Sequence, residues 1–527
     1  MTLTGWLLLI LVVQLIHFAG TWKLYTLAGR KAWEAAIPVY NAVVLMKIIN
    51  RPGWWTVLLF IPIVNQIMFP VVWVETIRSF GRNNAKDTFL VLITFGLYIF
   101  YINYAQDVKY IEDRDLKPRT GLGEWVSSIL FAVVAATIVH TYFMQPYTIP
   151  TSSLEKTLLV GDFLFVSKFH YGARTPITPI SFPMVHDTIP LVRKKSYATK
   201  PQVPYFRFPG FQKIKRNDIV VFSWPVDTVN AFQRYGDGKY YYKPIDKKSN
   251  YVKRCVGLPG DSLSVKEGYV YVNGERNELP DRAVIQFGYD VKVSNLINDN
   301  ILIKRYNITD QYGYNPNTQS YLFPAISEES LELLKSNPNV LEVTEWRTKK
   351  NSLGDPGTFP SDSQYKWDNN SFGPIYIPEA GATVAITPES IPFYERIIEV
   401  YEGSELGVEN VISKSDTQVF LNGNPITEYT FKMDYYWMMG DNRNNSEDAR
   451  TWGYVPFNHV VGKPVFVWMS WDSNASGIAN KIRWERLFTT VGGDGTPVSY
   501  FRYFLIALVG WFIFDFFRKK KKKRVKK

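Results

Sequence analysis

The chain has 527 residues, of which 46% are hydrophobic and 16% aromatic, so it has enough apolar material for more than one domain. Its formal net charge is +12, but nine of the last ten residues, 518–527, are basic and follow an apolar run, which favours a membrane surface over nucleic acid as the partner. The one cysteine, Cys255, excludes an intramolecular disulfide, and the five scattered histidines suggest neither a zinc site nor a Ser-His-Asp triad.

Apolar runs towards both ends of the chain predict membrane spans. No basic residue precedes the first run, which argues against a cleaved signal peptide. Pro62 and Pro70 interrupt the second run, which is therefore predicted to bend or to re-enter the membrane. Each run is close to the ~20 residues that cross about 30 Å of hydrocarbon, although the third is short. The runs are 3–19, 54–76, 87–104, about 124–144 and about 499–517.

Basic residues beside these runs predict their orientation. The tail after the last run and the loop between the third and fourth runs are both rich in Lys and Arg, so both are predicted to be cytoplasmic. Residues 145–498 then lie on the far side of the membrane. The loop 78–86 carries basic residues on the wrong side for this scheme, so the topology of residues 1–105 stays open. The basic residues of the loop before the fourth run are Lys109, Arg114, Lys117 and Arg119.

The large segment between the spans is predicted to be mostly β. Short β-branched and aromatic runs at 218–222 and 251–256 are bounded by turn residues. The dipeptides at 273–274 and 422–423 are both Asn-Gly after a short strand, which predicts two hairpins. The section between them, about 276–410, is rich in Asn, Pro, Ser and Tyr, and it is predicted to form loops and ribbons with one short helix at 327–335.

A cluster of hydroxyl groups follows directly on the fourth apolar run. Thr151, Ser152 and Ser153 lie at a bend set by Pro150, which fixes its own φ. Alone, such a cluster is more typical of a turn or a helix cap than of a nucleophile. Any chemistry that it carries would take place at the membrane surface.

A serine hydroxyl needs a base to become a nucleophile, and a lysine serves as that base only where burial lowers its pKa from about 10.4. In the strand predicted at 251–256, alternation places Tyr251, Lys253 and Cys255 on one face and Arg254 on the other. Either Lys253 points inward and Arg254 pairs with an acid, or both cations reach solvent from an edge strand. The strand taken by itself favours the second arrangement.

A third polar segment, 440–454, carries residues that could order a buried amine. By itself it is typical of a turn-rich loop. Together with the other two segments, the hydroxyl of Ser446 and the charges of Asp448 and Arg450 are suited to hold Lys253 in place.

In these segments the chain resembles the type I signal peptidases, the membrane-bound Ser-Lys proteases that remove signal peptides from exported proteins. The likeness covers roughly 124–174, 214–275 and 416–470, and five motifs occur in the order of that family, which makes chance agreement very unlikely. The motifs lie at 149–154, 157–162, 216–222, 251–261 and 440–450.

The resemblance implies a role for each matching residue. Ser153 corresponds to the nucleophile and Lys253 to the general base. The Thr151 side chain and the Ser153 N–H correspond to the oxyanion hole. Ser446 corresponds to the serine that orients the lysine, and Asp448 and Arg450 to a supporting ion pair. The walls of shallow pockets for small substrate side chains at −1 and −3 correspond to Tyr147, Ile149, Leu154, Leu158, Leu164, Tyr251 and Val252.

The chain departs from the common family pattern at three positions. Leu154 stands where methionine is frequent, Lys156 where proline is usual, and Asn217 where glycine is usual. These changes bear on loop geometry more than on the reaction. Cys255 lies beside Lys253 and invites a cysteine-nucleophile interpretation, but without an evident histidine partner it is predicted to be a buried small hydrophobic residue.

The implied fold is a mostly β catalytic domain, a signal-peptidase-like β fold with an inserted β-ribbon and loop subdomain, plus α-helical transmembrane spans at both ends. The predicted divisions are an N-terminal membrane region, a membrane anchor, the first part of the catalytic core, an inserted non-catalytic subdomain, the second part of the core, a C-terminal span and a basic cytoplasmic tail. In that order their bounds are 1–122, 123–146, 147–275, 276–415, 416–498, 499–517 and 518–527.

The resemblance also implies partners and location. The partners are secretory preproteins with signal peptides, membrane phospholipid and, further, the protein-export translocon; no nucleic acid, metal or cofactor is expected. The location is the bacterial cytoplasmic (inner) membrane, multi-pass, with the catalytic domain on the periplasmic side and the basic tail in the cytoplasm.

Three alternatives compete with a signal peptidase. A soluble Ser-Lys protease like the SOS-response repressors shares the dyad but would not carry five apolar runs. A membrane-anchored binding or envelope-scaffold protein would carry the β domain without activity. A nucleic-acid-binding protein would group its basic residues within 145–498, which the sequence does not do.

Overall fold

The computed structural model describes residues 3–118, 120–227, 242–348 and 354–525. Arg119 of the predicted cytoplasmic loop, the last two residues of the basic tail, and 228–241 and 349–353 of the predicted catalytic and inserted segments lie outside the described residues. The chain divides into two compact units. The first holds 3–143, 174–207 and 242–247, and the second holds 144–173, 208–227 and 248–525, within the described ranges.

The first unit is helical. Its buried core includes Tyr25, Met46, Ile49 and Val64, each fully enclosed by neighbouring helices. Of the chain that the structure describes, Thr4–Leu27 and Gly121–Phe143 are long and apolar enough to cross a membrane. The α-helices of this unit are α1 Leu3–Leu27, α2 Tyr40–Ile48, α3 Trp55–Leu58, α4 Val64–Ser79, α5 Ala85–Ile93, α6 Tyr98–Ala105 and α7 Gly121–Ile138.

The second and third predicted spans are not single straight helices. The run 54–76 is divided between α3 and α4, and the break contains Pro62, as the predicted interruption requires. The run 87–104 forms α5 and α6, which meet at 120°, so it is a broken span or a re-entrant loop and its passage through the membrane stays a prediction. The bend passes through Gly96, whose φ of +85° suits glycine and whose α-carbon lies against the Trp73 ring.

The last apolar run forms a helix, but with charges inside it. In the second unit, Phe501–Val525 is one helix with exposed Trp511 and Phe514 side chains. Arg502, Asp515 and Arg518 lie within its apolar part, so it is not among the helices apolar enough to span. Its predicted passage through the membrane therefore stays a prediction.

The second unit is built on β-sheets, as the alternating runs predicted. Its central sheet has the order β1-β2-β20-β3-β4-β18-β19, with β21 paired to β20. The strands of that sheet are β1 Met144–Thr148, β2 Asp162–Ser167, β3 Ile219–Ser223, β4 Asn250–Gly257, β18 Tyr435–Met439, β19 Val455–Pro456, β20 Val460–Ser470 and β21 Thr489–Thr490.

Smaller sheets and short helices complete this unit. The sheets have the orders β11-β8-β10-β9, β12-β5-β6-β7, β13-β17 and β14-β15-β16. Their strands are β5 Ser262–Lys266, β6 Tyr269–Val272, β7 Glu275–Arg276, β8 Gln286–Val293, β9 Gly313–Asn315, β10 Ser320–Ser327, β11 Val340–Glu345, β12 Phe372–Tyr376, β13 Thr383–Ala385, β14 Ile412–Lys414, β15 Val419–Leu421, β16 Asn424–Ile426 and β17 Glu428–Thr430. The helices are α8 Asp299–Lys304, α9 Glu328–Lys335, α10 Ile391–Arg396, α11 Ala449–Trp452, α12 Ile478–Lys481 and α13 Phe501–Val525.

Both hairpin predictions are confirmed. Asn273 and Gly274 join β6 to β7 with φ of +52° and +90°, and Asn422 and Gly423 join β15 to β16 with φ of +52° and +79°. Both residues of each turn need positive φ, which Asn and Gly tolerate. These turns set the register of the small sheets around the central one.

The predicted insertion falls into two different hydrophobic cores. Residues 286–345 form the sheet of β8 to β11 with α8 and α9 around their own core, which includes Tyr289 and Phe323. The helix predicted at 327–335 is confirmed as α9, with Ser327 accepting a hydrogen bond from the Ser330 amide at its N-terminus. Residues 359–401 instead pack with Trp437 of the central sheet.

Candidate active site

The hydroxyl cluster lies on a tight loop between β1 and β2. Ile149 closes the loop by accepting from the Gly161 amide and donating to the Asp162 carbonyl, both at 2.9 Å. Within it, the Leu158 amide donates to the Leu154 carbonyl at 2.7 Å. This folding leaves the Thr151 side chain exposed and Ser153 only 7% exposed.

The loop after β18 holds this segment in place. Asn442, which is fully buried, donates from its amide to the Ser153 carbonyl at 3.1 Å and from Nδ2 to the Ser152 carbonyl at 3.2 Å. In the parts of the chain that the structure describes, no group accepts a hydrogen bond from the Ser153 amide or contacts the Thr151 hydroxyl through one. Both donors are therefore free to bind an oxyanion.

Lys253 lies in the interior of the central sheet. It is on β4, between β3, where it faces Val220, and β18, and it is 4% exposed. Burial lowers the pKa of Lys253 to about 8; Asp448 opposes this shift and Arg450 adds to it. The alternative in which both cations reach solvent from an edge strand is wrong, because β4 has neighbours on both sides.

Arg254 pairs with an acid, as the inward arrangement requires. Its Nη2 and Nε lie 2.6 Å and 2.8 Å from the two carboxylate oxygens of Asp441, and both side chains are buried. The Thr157 hydroxyl donates to the same carboxylate at 2.7 Å. Asp441 thereby joins the lysine-bearing strand to the serine-bearing loop.

Gly440 marks the point where the three motifs meet. Met439 of β18 pairs with Arg254, and continuing this register brings Gly440 beside Lys253. A β-carbon on Gly440 would lie 2.7 Å from the Ser153 carbonyl oxygen and would overlap the Ser446 side chain. The strand can therefore pass between these residues only as glycine.

The supporting residues surround the same point. The Asp448 carboxylate accepts a hydrogen bond from the Gly440 amide at 2.9 Å and forms an ion pair with Arg450 Nε at 2.8 Å. The side chains of Asp448 and Arg450 are both buried. Burial alone would raise the pKa of Asp448, but Arg450 outweighs it, so the carboxylate stays ionised. Ser446 Oγ is buried and, among the described residues, has no hydrogen-bond partner.

Most of the predicted pocket residues pack together. Tyr251 does not join them: it lies on the Lys253 face of β4, where its ring stacks on Trp224 with centroids 5.1 Å apart. The residues that share one apolar cluster are Ile149, Leu154, Leu158 and Leu164, with Tyr147 and Val252 packed against them.

The departures from the family pattern have local explanations. Leu154 is 1% exposed and keeps the pocket apolar. Asn217 has a φ of +69°, a conformation that suits glycine and that asparagine tolerates. Cys255 is fully buried among apolar side chains, which confirms the prediction of a small hydrophobic residue.

Three contributors were not among the predicted site residues. Asp441, Asn442 and Asn445 all lie in the polar segment at 440–454, where the density of Asn and Asp was the available signal. Asn445 Nδ2 donates to the Ser152 hydroxyl at 2.7 Å. Their partners on β4 and in the loop between β1 and β2 lie between 187 and 293 residues earlier in the chain, so local patterns did not reveal them.

Comparison with known families agrees with this arrangement. Residues 122–304 and 381–471, just over half of the chain, match the family described as signal peptidase, peptidase S26. The chain belongs to this family. Residues 33–113 of this S26 peptidase match a second family, one of unknown function (DUF5684).

Curated relatives of the S26 peptidase carry the name signal peptidase I. The protein of Buchnera aphidicola subsp. Acyrthosiphon pisum is 25% identical over 420 residues, covering 77% of this chain and 98% of its own length. That of Haemophilus influenzae is 24% identical over 390 residues, covering 72% and 79%. That of Helicobacter pylori is 25% identical over 379 residues, covering 70% and 91%.

The family confirms the resemblance seen in the motifs. The S26 peptidase is a hydrolase of the serine protease class, with a mostly β catalytic fold and two apolar helices long enough to hold it in a membrane. All of the predicted site residues lie within the matched segments. Residues 305–380 lie between those segments.

Proposed function

We propose that this S26 peptidase removes N-terminal signal peptides from exported preproteins by a Ser-Lys dyad, with Ser153 as nucleophile and Lys253 as general base. The observation that carries the proposal is the enclosure of Lys253 in an interior strand, where burial lowers its pKa to about 8. A substantial fraction of the amine is then neutral near physiological pH. The 440–450 loop, which begins beside Lys253 at Gly440, also contacts the nucleophile segment: its Asn442 amide donates a hydrogen bond to the Ser153 carbonyl.

The reaction proceeds in two halves. Ser153 Oγ attacks the scissile carbonyl while Lys253 Nζ accepts its proton, and the Thr151 hydroxyl and the Ser153 amide bind the developing oxyanion. The lysine ammonium then protonates the leaving amine, and the new N-terminus departs. Lys253 next takes a proton from water, which attacks the ester carbonyl and releases the signal peptide and the free Ser153 hydroxyl.

The supporting residues keep the amine aligned during both halves. Ser446 Oγ, buried beside Gly440, orients the Lys253 amine. The Asp448–Arg450 ion pair holds the 440–450 loop through the Gly440 amide. Both roles are proposals that rest on the positions of these side chains.

The substrate binds as an added strand. In the described part of the chain, β1 is the terminal strand of the central sheet and pairs only with β2, so its other edge can accept an extended peptide. The pocket residues Tyr147, Ile149, Leu154, Leu158, Leu164 and Val252 are apolar apart from the tyrosine hydroxyl. Such walls favour small side chains at −1 and −3. Tyr251 contributes to the substrate pocket from the face of β4 that carries Lys253.

The membrane arrangement is also a proposal. The protein is multi-pass in the bacterial cytoplasmic membrane, with the catalytic domain periplasmic and the basic tail cytoplasmic. Preproteins reach the catalytic domain through the export translocon. Contact with phospholipid is supported by exposed apolar side chains followed by cations. Leu191 is 99% exposed and Val192 58% exposed, just before the basic residues 193–195.

The domain scheme follows from the same proposal. A membrane region at 1–122 and an anchor at 123–146 lead into a catalytic core formed by 147–275 and 416–498. An insertion at 276–415 divides that core, and a span at 499–517 and a cytoplasmic tail at 518–527 end the chain.

The proposal is tested by cleavage of a signal-peptide precursor by the full chain in detergent. Ser153→Ala and Lys253→Ala should each abolish cleavage, because the first removes the nucleophile and the second the base. Ser152→Ala is the matched control and should still cleave the precursor, since it removes a hydroxyl that accepts from Asn445 and leaves the nucleophile in place. An active Ser153→Ala protein refutes the assignment, and a wild-type chain that cleaves no precursor favours the scaffold alternative.

A further inference from the structure

A loop of the inserted sheet reaches the nucleophile segment from outside the stretches that match the family. This loop, 305–312, connects α8 to β9. We propose that it clamps the nucleophile loop through Lys156 and Asp310, which act as positioning residues for Ser153; this inference rests on the proposed function. The clamp would give the inserted sheet a direct role in the reaction rate.

One half of the clamp is the side chain of Lys156. Its Nζ donates to the Asn307 carbonyl at 2.7 Å, to Asn307 Oδ1 at 2.9 Å and to Thr309 Oγ1 at 2.9 Å. An ammonium group has three N–H donors, so these contacts use its full capacity. Lys156 stands three residues after Ser153, so these hydrogen bonds connect the 305–312 loop to the nucleophile segment.

The backbone of Lys156 explains why such a contact is needed. Its φ is +70°, in the left-handed region that a non-glycine residue adopts at a cost. The proline usual at this position has a fixed negative φ and cannot take this conformation. The turn therefore depends on the side-chain contacts to the inserted sheet rather than on the rigidity of a proline ring.

The other half of the clamp is the carboxylate of Asp310. Its Oδ2 accepts from Asn442 Nδ2 at 2.9 Å and lies 3.5 Å from Gln286 Nε2. Burial raises the pKa of Asp310, and Ser152, Lys156 and Asn442 oppose this rise. Asp310 thus acts on the nucleophile loop through Asn442.

Asn442 carries the effect to the nucleophile. Its Nδ2 donates to Asp310 and to the Ser152 carbonyl, and its backbone amide donates to the Ser153 carbonyl. Asn442 Oδ1 is buried and has no partner among the described residues, so the orientation of the amide depends on the acceptors of Nδ2. Loss of the Asp310 carboxylate removes one of the two acceptors that fix it.

Steady-state cleavage of a precursor by the full chain tests the clamp. Lys156→Met keeps the aliphatic stem and removes the ammonium, and Asp310→Ala removes the carboxylate. Each should lower kcat on the order of 10-fold with KM changed less than about 3-fold, because misplacing a nucleophile slows the chemical step. Asp310→Asn should recover much of the rate, since its amide oxygen still accepts from Asn442.

Controls separate positioning from other effects. Lys335→Met breaks an exposed ion pair with Glu332 on α9 of the same inserted sheet and should leave kcat unchanged. The pH dependence of kcat should keep its ascending limb in Lys156→Met, because the clamp acts on the serine loop and not on Lys253. Lys156 is partly exposed, so this variant tests the clamp even where Asp310→Ala fails to fold.

The outcomes distinguish this inference from the proposed function. Wild-type kcat in Lys156→Met, or a rise in KM with kcat unchanged, overturns the clamp even though Ser153→Ala is inactive. Activity in Ser153→Ala overturns the dyad itself. A reduced kcat in Lys335→Met equal to that in Lys156→Met also overturns the clamp, because the effect would then be a general loss of stability.

Discussion

At the scale of single residues, the burial of Lys253 that the proposed dyad needs lowers the stability of the folded protein. An unfolded lysine has a pKa of about 10.4, whereas burial lowers that of Lys253 to about 8. Below pH 8 the folded protein must hold a charged amine that is buried away from water, at a penalty on the order of 3 kcal/mol. Between about pH 8 and 10 the unfolded chain binds more protons, so stability rises with pH in this window.

Lys253→Met should therefore raise the unfolding temperature at pH 7 while it abolishes cleavage. The gain should shrink as the pH rises from about 8 to 10, because the folded amine is then neutral and releasing its proton on folding costs less as the pH approaches the pKa of the unfolded lysine. Thermal unfolding of both proteins in the same detergent, at pH 7 and pH 10, measures this difference. An unfolding temperature at pH 7 equal to or below that of the wild type would contradict the account of the buried amine.

Also at this scale, the sequence pointed to the residues proposed to react, but not to the neighbours that contact them. Ser153 and Lys253 lie in motifs whose order identifies the family, and the Asp448–Arg450 pair is present as predicted. Asp310 and Asn442 were not predicted because each gains its role from a partner more than a hundred residues away. The pairing of Arg254 with Asp441 belongs to the same class of contacts.

At the scale of elements, the passage of β18 into the 440–450 loop brings the motifs together. Gly440 has no positive φ, so alanine suits its backbone, but the added methyl would meet Ser446 and the Ser153 carbonyl oxygen. Gly440→Ala should therefore lower kcat/KM by about 100-fold or more, because small displacements of the reacting groups slow the chemical step strongly.

The matched control is Gly313→Ala on β9. Gly313 also has no positive φ, and a methyl group there would have nothing within 4 Å. Its kcat/KM for the precursor should equal that of the wild type. Equal activity in Gly440→Ala and Gly313→Ala would show that the tight approach at Gly440 is not required for the reaction.

The elements themselves were predictable to different degrees. Alternating strands and Asn-Gly turns need only local information, and both hairpins and α9 formed where expected. The bend between α5 and α6 depends on Gly96 packing against the Trp73 ring, a tertiary contact that an apolar run does not reveal. An apolar run shows that a segment is hydrophobic, but it does not show where the helix bends, because the direction of each helix is set by its packing against neighbours.

At the scale of the whole molecule, the chain combines a family-typical catalytic core with segments that the family does not define. Residues 33–113 match a family of unknown function, and 305–380 lie between the matched parts of the peptidase. Asp310, from the second of these segments, accepts a hydrogen bond from Asn442, which in turn donates to the loop that bears Ser153. Added sequence in this protein therefore contributes to the surroundings of the site.

The most direct test of the central claim is the pH dependence of kcat/KM for precursor cleavage by the full chain. If neutral Lys253 is the base, kcat/KM should rise about tenfold per pH unit below a single ascending pKa of about 8. An ascending pKa near 6.5, typical of histidine, or near 10.4, typical of a hydrated lysine, would contradict a buried amine acting on Ser153.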